Sequence, residues 1–258
     1  MARIIGISTN KGGVLKTSLC TSLAGLLAKD GKKVLIIDTD NQGNVAITFG
    51  KNPDLYEETI YDVLTGEVAA EKVIYNVYEN IDILPSNDDM AFFEFDVISQ
   101  PQTFKEPLFL LKKALESVKD SYDYILIDTP PNLGLILGNV LNTVSEVLIP
   151  FQPEAYSMRS IQKILKQINS FKEQHNPELK VLGVVSTLVD LRTVLHSQVL
   201  QECRRYCYEN NVKMFDTVIP RSVRTANSVA YDQLPVTLVE KKGNSLIDAY
   251  HELYKEVF

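Results

Sequence analysis

The chain is poor in cysteine, in long apolar runs and in net positive charge, and each shortage excludes a class of protein. Its three cysteines, Cys20, Cys203 and Cys207, are an odd number. The last two stand one helical turn apart without a histidine pair to complete a metal site, so all three read as reduced and structural. No apolar run approaches the roughly 18 residues that would suggest a bilayer span, and the N-terminus MARIIGIST lacks the features of a secretory signal. The expectation is a soluble, cytoplasmic protein. A formal charge of −7 argues against coating nucleic acid with the whole surface, so any DNA contact requires a local basic patch. Internal repeats, low-complexity tracts and interdomain linkers are absent too.

What is present is an alternation of short β-branched runs and amphipathic stretches. The runs are RIIGIST (3–9), KVLIID (33–38), IDILPS (81–86), YDYILID (122–128), EVLIPF (146–151), VLGVVSTLV (181–189) and FDTVIP (215–220). Their nearly continuous apolar character suggests strands buried on both faces. Helices are expected at 16–30, with Leu19, Leu23, Leu26 and Leu27 on one side, and at 105–119, with Leu108, Leu111, Leu115 and Val118. Gly31 suits the stop of the first, where positive φ is wanted. The pattern predicts an α/β fold, a mostly parallel twisted sheet with helices on both faces. With 258 residues, 45% of them hydrophobic, one domain can bury its own core. Residues 51–104 are less regular.

The stretch NKGGVLKTS (10–18) lies between the first strand and the first helix. Gly12 and Gly13 let backbone N–H groups converge on an anion, and the following helix aims its positive end at the same point. Lys16 supplies charge to the β and γ phosphates, and the Thr17 hydroxyl suits Mg²⁺. Asp128 closes one strand, where a carboxylate holding Mg²⁺ through its water shell is expected. Asp38 and Asp40 close another, at the edge where open α/β sheets bind ligands.

These strings together resemble the ParA partition ATPases of the short, Soj type, within the P-loop NTPase fold. KGGVLKTS matches the deviant Walker A pattern KGGxxK[ST], and the match continues through DTDNQGN (38–44), DTPPNLG (128–134), LVDLRT (188–193) and VIPRSVR (218–224). The resemblance covers nearly the whole chain and implies one ATPase domain over residues 1–258, with no helix-turn-helix domain before the loop. It implies an ATP site formed by Lys11, Gly12, Gly13, Val14, Leu15, Lys16, Thr17 and Ser18, with adenine near Pro220. Mg²⁺ would be held by Thr17, Asp40 and Asp128. Catalysis would fall to Lys11, Lys16 and Asp40: Asp40 orients the attacking water, and Lys11 reaches across a homodimer to the partner's ATP. Asp38 supports the Mg²⁺ shell or the loop from behind, and TPPNLG is a second switch sensing the γ-phosphate. Slow hydrolysis, stimulated by a ParB-like partner, and a nucleoid-associated location are further implications.

Two departures stand out. Asn41 replaces a usual proline, with little expected consequence, since both suit turns. Leu15 replaces a usual glycine. At positive φ a leucine costs on the order of 1 kcal/mol, and in a helical conformation almost nothing. Retained ATP binding with altered affinity or turnover is expected, with impaired hydrolysis the alternative.

Residues 190–224 carry six Lys and Arg against four acids, so the positive charge of an acidic chain concentrates there. In the resemblance Arg192 and Arg221 coincide with nonspecific DNA-binding positions, and Arg224, Lys241 and Lys242 are weaker candidates. A MinD-like membrane-positioning ATPase shares the loop but needs a basic amphipathic C-terminus. Here SLIDAYHELYKEVF places Asp248, Glu252 and Glu256 beside Lys255, so packing on the sheet, and no membrane contact, is expected. A metabolic phosphotransfer enzyme of the same fold would need a small-molecule pocket by the γ-phosphate, and an iron–sulfur electron carrier would need a ligating cysteine pattern not found here.

Overall fold

In the computed structural model, which describes residues 2–190, 192–239 and 243–258, the apolar runs assemble into one eight-stranded sheet. The strands are β1 (Arg3–Ile7), β2 (Val34–Asp38), β3 (Tyr75–Tyr78), β4 (Ile81–Leu84), β5 (Tyr124–Asp128), β6 (Glu146–Phe151), β7 (Lys180–Val189) and β8 (Met214–Pro220). Their spatial order is β3-β4-β2-β5-β1-β6-β7-β8, and every pairing is parallel except β3 with β4. All seven expected strands are present, each within two residues of its expected bounds.

Period-two alternation sends neighbouring side chains into separate cores. Leu35 and Ile37 of β2 face one core, with the helices Leu135–Thr143 and Ser157–Gln174. Val34 and Ile36 face the other, with the helices Lys16–Lys29 and Ser245–Val257. Helices therefore cover both faces, which is why these strands read as continuous apolar runs. From β1 the chain crosses to β2 on one side of the sheet, and from β5 it crosses to β6 on the other. The resulting crevice opens at the carboxyl ends of β1 and β5.

The first helix, Lys16–Lys29, ends at Gly31 with φ 73°, the expected left-handed stop. It is buried almost all round, because the short helix Val236–Val239 and the C-terminal helix both pack against it. That C-terminal helix inserts Leu246, Ile247, Tyr250, Leu253 and Val257 into the core, as its apolar stripe suggested.

Two local expectations are corrected. The helix expected at 105–119 is only Leu110–Leu115. Asn139 and Asn142 of the neighbouring helix donate to the carbonyls of Pro107 and Leu108, and Asn139 accepts from Leu111 N. Those bonds hold the approach in a non-helical shape. Strand β3 was hidden within the irregular 51–104 region. It is a short edge strand joined to β4 by a tight turn with Asn80 at φ 61°, and a register irregularity at Asn76 breaks its alternation.

Candidate nucleotide site

The loop leaving β1 is fastened to the sheet from several directions. The Thr129 hydroxyl donates to Ile7 O (2.9 Å) and Thr187 donates to Val14 O (3.0 Å). Thr39 donates to Asp128 O, tying the ends of β2 and β5 together. Gly13 has φ 71°, the freedom expected of a phosphate loop. Leu15 also lies in the left-handed region, at φ 65° and ψ 30°, and forms the N-cap of the first helix. The strained alternative is therefore the one realised.

Lys16 is buried and its Nζ donates to Lys11 O at 3.2 Å. Burial pulls its ammonium pKa down, while Asp128 and Asp40 oppose the shift. The Thr17 hydroxyl donates to Asp128 Oδ2 at 2.5 Å. Asp128 Oδ1 is buried without a hydrogen-bond partner, as are Ser8 Oγ and Asn10 Oδ1. An orphaned carboxylate oxygen beside a threonine hydroxyl and a buried lysine fits a hydrated Mg²⁺ and a phosphate.

Asp38 pairs in register with Asp128 on adjacent strands. Burial pushes both carboxyls above the ordinary carboxylate range, and their proximity adds to the rise at Asp38. Asp38 accepts from Asp40 N (3.0 Å) and Val45 N (2.9 Å), so it shapes the turn that follows β2. Asn41 occupies that turn, which Gly43 N closes on Asp40 O. Asp40 is half-buried and lines the cavity in front of the loop.

That cavity measures about 670 Å³, within the range of small-molecule sites. Residues 12–18 form its floor, and Asn44, Pro131 and Ser222 stand at its sides. Ile47, Ala226, Val229 and Ala230 make an apolar wall fit for a base. Part of this wall is a π-helical turn, Ser228–Asp232, a departure that recurs at functional sites. Pro220 ends β8 two residues before Ser222 and is half-buried. Sequence reasoning missed the part of the wall at 225–230, because Thr225, Ala226, Val229 and Ala230 carry no motif.

Lys11 is not free. Its Nζ donates to Glu154 Oε2 at 2.6 Å and to Ser157 Oγ at 3.3 Å. The Lys11 ammonium in turn holds the Glu154 carboxyl below its ordinary range. Glu154 was also missed, since an acid three residues past a strand end is a weak signal.

Arg221 N donates to Val189 O, which brings the ends of β7 and β8, and with them Arg192 and Arg221, to one edge of the sheet. The Arg192 side chain is 90% exposed and paired with Asp190. Arg224 is exposed on the helix Arg224–Asn227. Lys241 and Lys242 lie outside the described residues. Cys20, Cys203 and Cys207 are buried and form no disulfide, and among the described residues no group of three or more His, Cys, Asp or Glu side chains is placed to hold a metal ion.

A family model described as "AAA domain" matches residues 2–181. The sporulation initiation inhibitor protein Soj of Bacillus subtilis is 35% identical over 258 residues, covering all of this chain and 98% of its own. The chain belongs to the ParA family of P-loop ATPases. The chromosome partitioning protein ParA of Myxococcus xanthus is 32% identical, covering all of this chain and 88% of its own. In structure, this ParA-family chain superposes on cobyrinic acid a,c-diamide synthase from Mycobacterium smegmatis, solved with an ATP analogue and magnesium. That likeness has a TM-score of 0.83 at 27% identity, covering 99% of this chain and 93% of the other. No helix among the described residues is long and apolar enough to cross a membrane.

Proposed function

We propose that the chain is a DNA partition ATPase, a single domain over residues 1–258 in which ATP binding and homodimer assembly are one event. The observation that carries the reading is the convergence of Lys16, Thr17 and Asp40 on one cavity, with Asp128 buried behind Thr17 and accepting from its hydroxyl, and a second lysine, Lys11, in the same loop. Thr17, Asp40 and Asp128 would hold Mg²⁺ and its water shell, and the ion would supply charge neutralisation for the phosphates. Residues 12–18 bind the phosphates, and Asp40 orients the attacking water. Alignment rather than strong base chemistry then sets a slow intrinsic rate.

Lys11 leaves Glu154 to meet the partner's ATP. The Lys11–Glu154 pair is partly solvent-exposed, so opening it costs about 1 kcal/mol or less, whereas a charge-assisted bond to phosphate contributes about 1.5–3 kcal/mol. The exchange favours the ATP-bound dimer. Such a dimer presents Arg192, Arg221 and Arg224 twice over, giving nonspecific, salt-sensitive attachment to the nucleoid. A ParB-like partner then stimulates hydrolysis and release. Relatives named for chromosome partitioning support this reading.

Leu15 favours one variation, an ATP-binding protein with impaired turnover, because its side chain lines the cavity from a left-handed position. The test measures binding to a random-sequence duplex with Mg²⁺ and ATP, ADP or no nucleotide, at two salt concentrations, with light scattering for mass and phosphate release for turnover. ATP-specific, salt-sensitive DNA binding by a dimer is expected. ATP binding without dimer or DNA sinks the partition reading, and binding without phosphate release selects the Leu15 variation.

A further inference from the structure

The helix Phe93–Ser99 is apolar on two faces. Phe93 and Val97 are buried in the core. Phe92, Phe95 and Ile98 turn outward and are 61%, 73% and 62% exposed. A bond from Asp96 N to Phe92 O, 3.0 Å long, places Phe92 on the first helical turn, so the three outward side chains follow at the spacing that makes neighbours. An exposed apolar cluster of this kind marks an interaction surface.

The chemistry around the stripe selects its occupant. Asp88, Asp89, Glu94 and Asp96 lie on the same stretch of chain, Asp96 accepting from the Tyr61 hydroxyl and Glu94 from a backbone N–H, and residues 88–99 contain no lysine or arginine. Among the described residues none of these four carboxylates is ion-paired. A second copy placed two-fold about the stripe would set four carboxylates against four, and an anionic lipid surface would be repelled for the same reason. A basic surface with an apolar face satisfies both the aromatics and the rim.

The stripe is also wired to the nucleotide cavity. Glu94 Oε2 accepts from Leu135 N at 3.1 Å, at the start of the helix Leu135–Thr143. The N-cap of that helix is Gly134, which has no side chain to cap it, so Glu94 supplies the acceptor from another element. Gly134 leaves the room, since a Cβ there would collide with the Glu94 carboxylate. The segment between Asp128 and Gly134 includes Pro131, on the cavity wall.

We propose that Phe92, Phe95 and Ile98 dock a basic amphipathic helix of a partner protein, and that Glu94 transmits the docking to residues 129–135. The second half rests on the nucleotide reading of that segment, and the docking does not. The probe is a fluorescein-labelled helical Leu/Lys peptide, with a Leu/Glu peptide of the same length as charge control, read by anisotropy on the full chain. Saturable binding of the Leu/Lys peptide alone is expected, weakened at least tenfold by Phe95→Ser with Ile98→Ser and unchanged by Leu55→Ser at another exposed site. Equal binding by the double variant overturns the proposal. So does an ATP-dependent dimer that the double variant loses, which assigns the stripe to a second copy, or flotation with phosphatidylglycerol vesicles that it abolishes. Hydrogen exchange reads the coupling: the peptide should slow exchange at residues 131–136 in the native chain but not in Glu94→Ala. Unchanged exchange in the native chain removes Glu94 from its role. A chain that binds the peptide through the stripe but binds no ATP leaves the docking standing and sinks the function proposed above.

Discussion

The loop at residues 10–18 and the segment 51–104, which contributes β3 and β4 to the sheet between stretches of short helix and turn, are held by different forces. The loop is fixed by polar bonds to β5 and β7, Thr17 to Asp128 and Thr187 to Val14, while Thr129 ties the end of β5 to the last residue of β1, Ile7, from which the loop leaves. Such bonds are directional, so they position Lys16 and the backbone N–H groups closely. The segment is fixed mainly by apolar anchors, with Ile60, Val63, Met90, Phe93 and Val97 entering one core. Packing of that kind fixes the inner face of a helix and leaves the outer face free to carry another task. Rigid chemistry and adaptable recognition are thus separated by the means of attachment.

The largest expected effect tests the apolar side of this contrast. Phe93→Ala should lower unfolding free energy by about 3–5 kcal/mol through lost burial and a cavity, while Phe95→Ala on the same helix should stay within about 0.5 kcal/mol. Urea unfolding of both variants checks it, and similar losses would mean that the outward face already packs in the free chain. On the polar side, Lys16→Ala should weaken ATP binding by roughly 100-fold, as the loss of about 3 kcal/mol of charge-assisted bonding requires. Calorimetric titration decides that, and affinity within a few-fold of native would place the phosphates elsewhere.

Lys11→Ala sharpens the comparison within the loop itself. Monomer affinity for nucleotide should change less than about threefold, because the lysine is engaged by Glu154 in its own chain and loses only a weak pair. The ATP-dependent doubling of mass should disappear. A dimer that survives the substitution takes Lys11 out of the interface.

The smallest effect is expected at Leu15. Its left-handed backbone is present before any ligand arrives, so the strain weighs on folding rather than on ATP affinity. Leu15→Gly removes on the order of 1 kcal/mol of strain but adds a similar entropic cost and loses partial side-chain burial. Stability should therefore move by less than about 1 kcal/mol, and ATP affinity by less than about threefold. A tenfold tighter complex would show that the leucine side chain obstructs the cavity it lines.

Much of the site was legible because its residues sit where secondary structure changes. Lys16 and Thr17 open a helix just after a strand, and Asp38 and Asp128 end runs of apolar residues, positions that strand-end geometry alone brings together. What stayed hidden had no periodic or positional mark. Glu154 reaches Lys11 from a distant part of the chain, and the wall at residues 225–230 is built from Thr225, Ala226, Val229 and Ala230. Strand β3 was lost because it is only four residues long, none of them fully buried, and its register breaks at Asn76.

By itself the sequence determined the parallel sheet, its two helical layers and the carboxylates and lysine at one end, since continuous apolar runs between amphipathic stretches admit few other solutions. The tertiary structure alone decided the conformation of Leu15, the partner of Lys11 and the outward turn of Phe92, Phe95 and Ile98. Each of these depends on a contact, or on the lack of one, with residues far away in the chain, and local propensity carries no information about such distances.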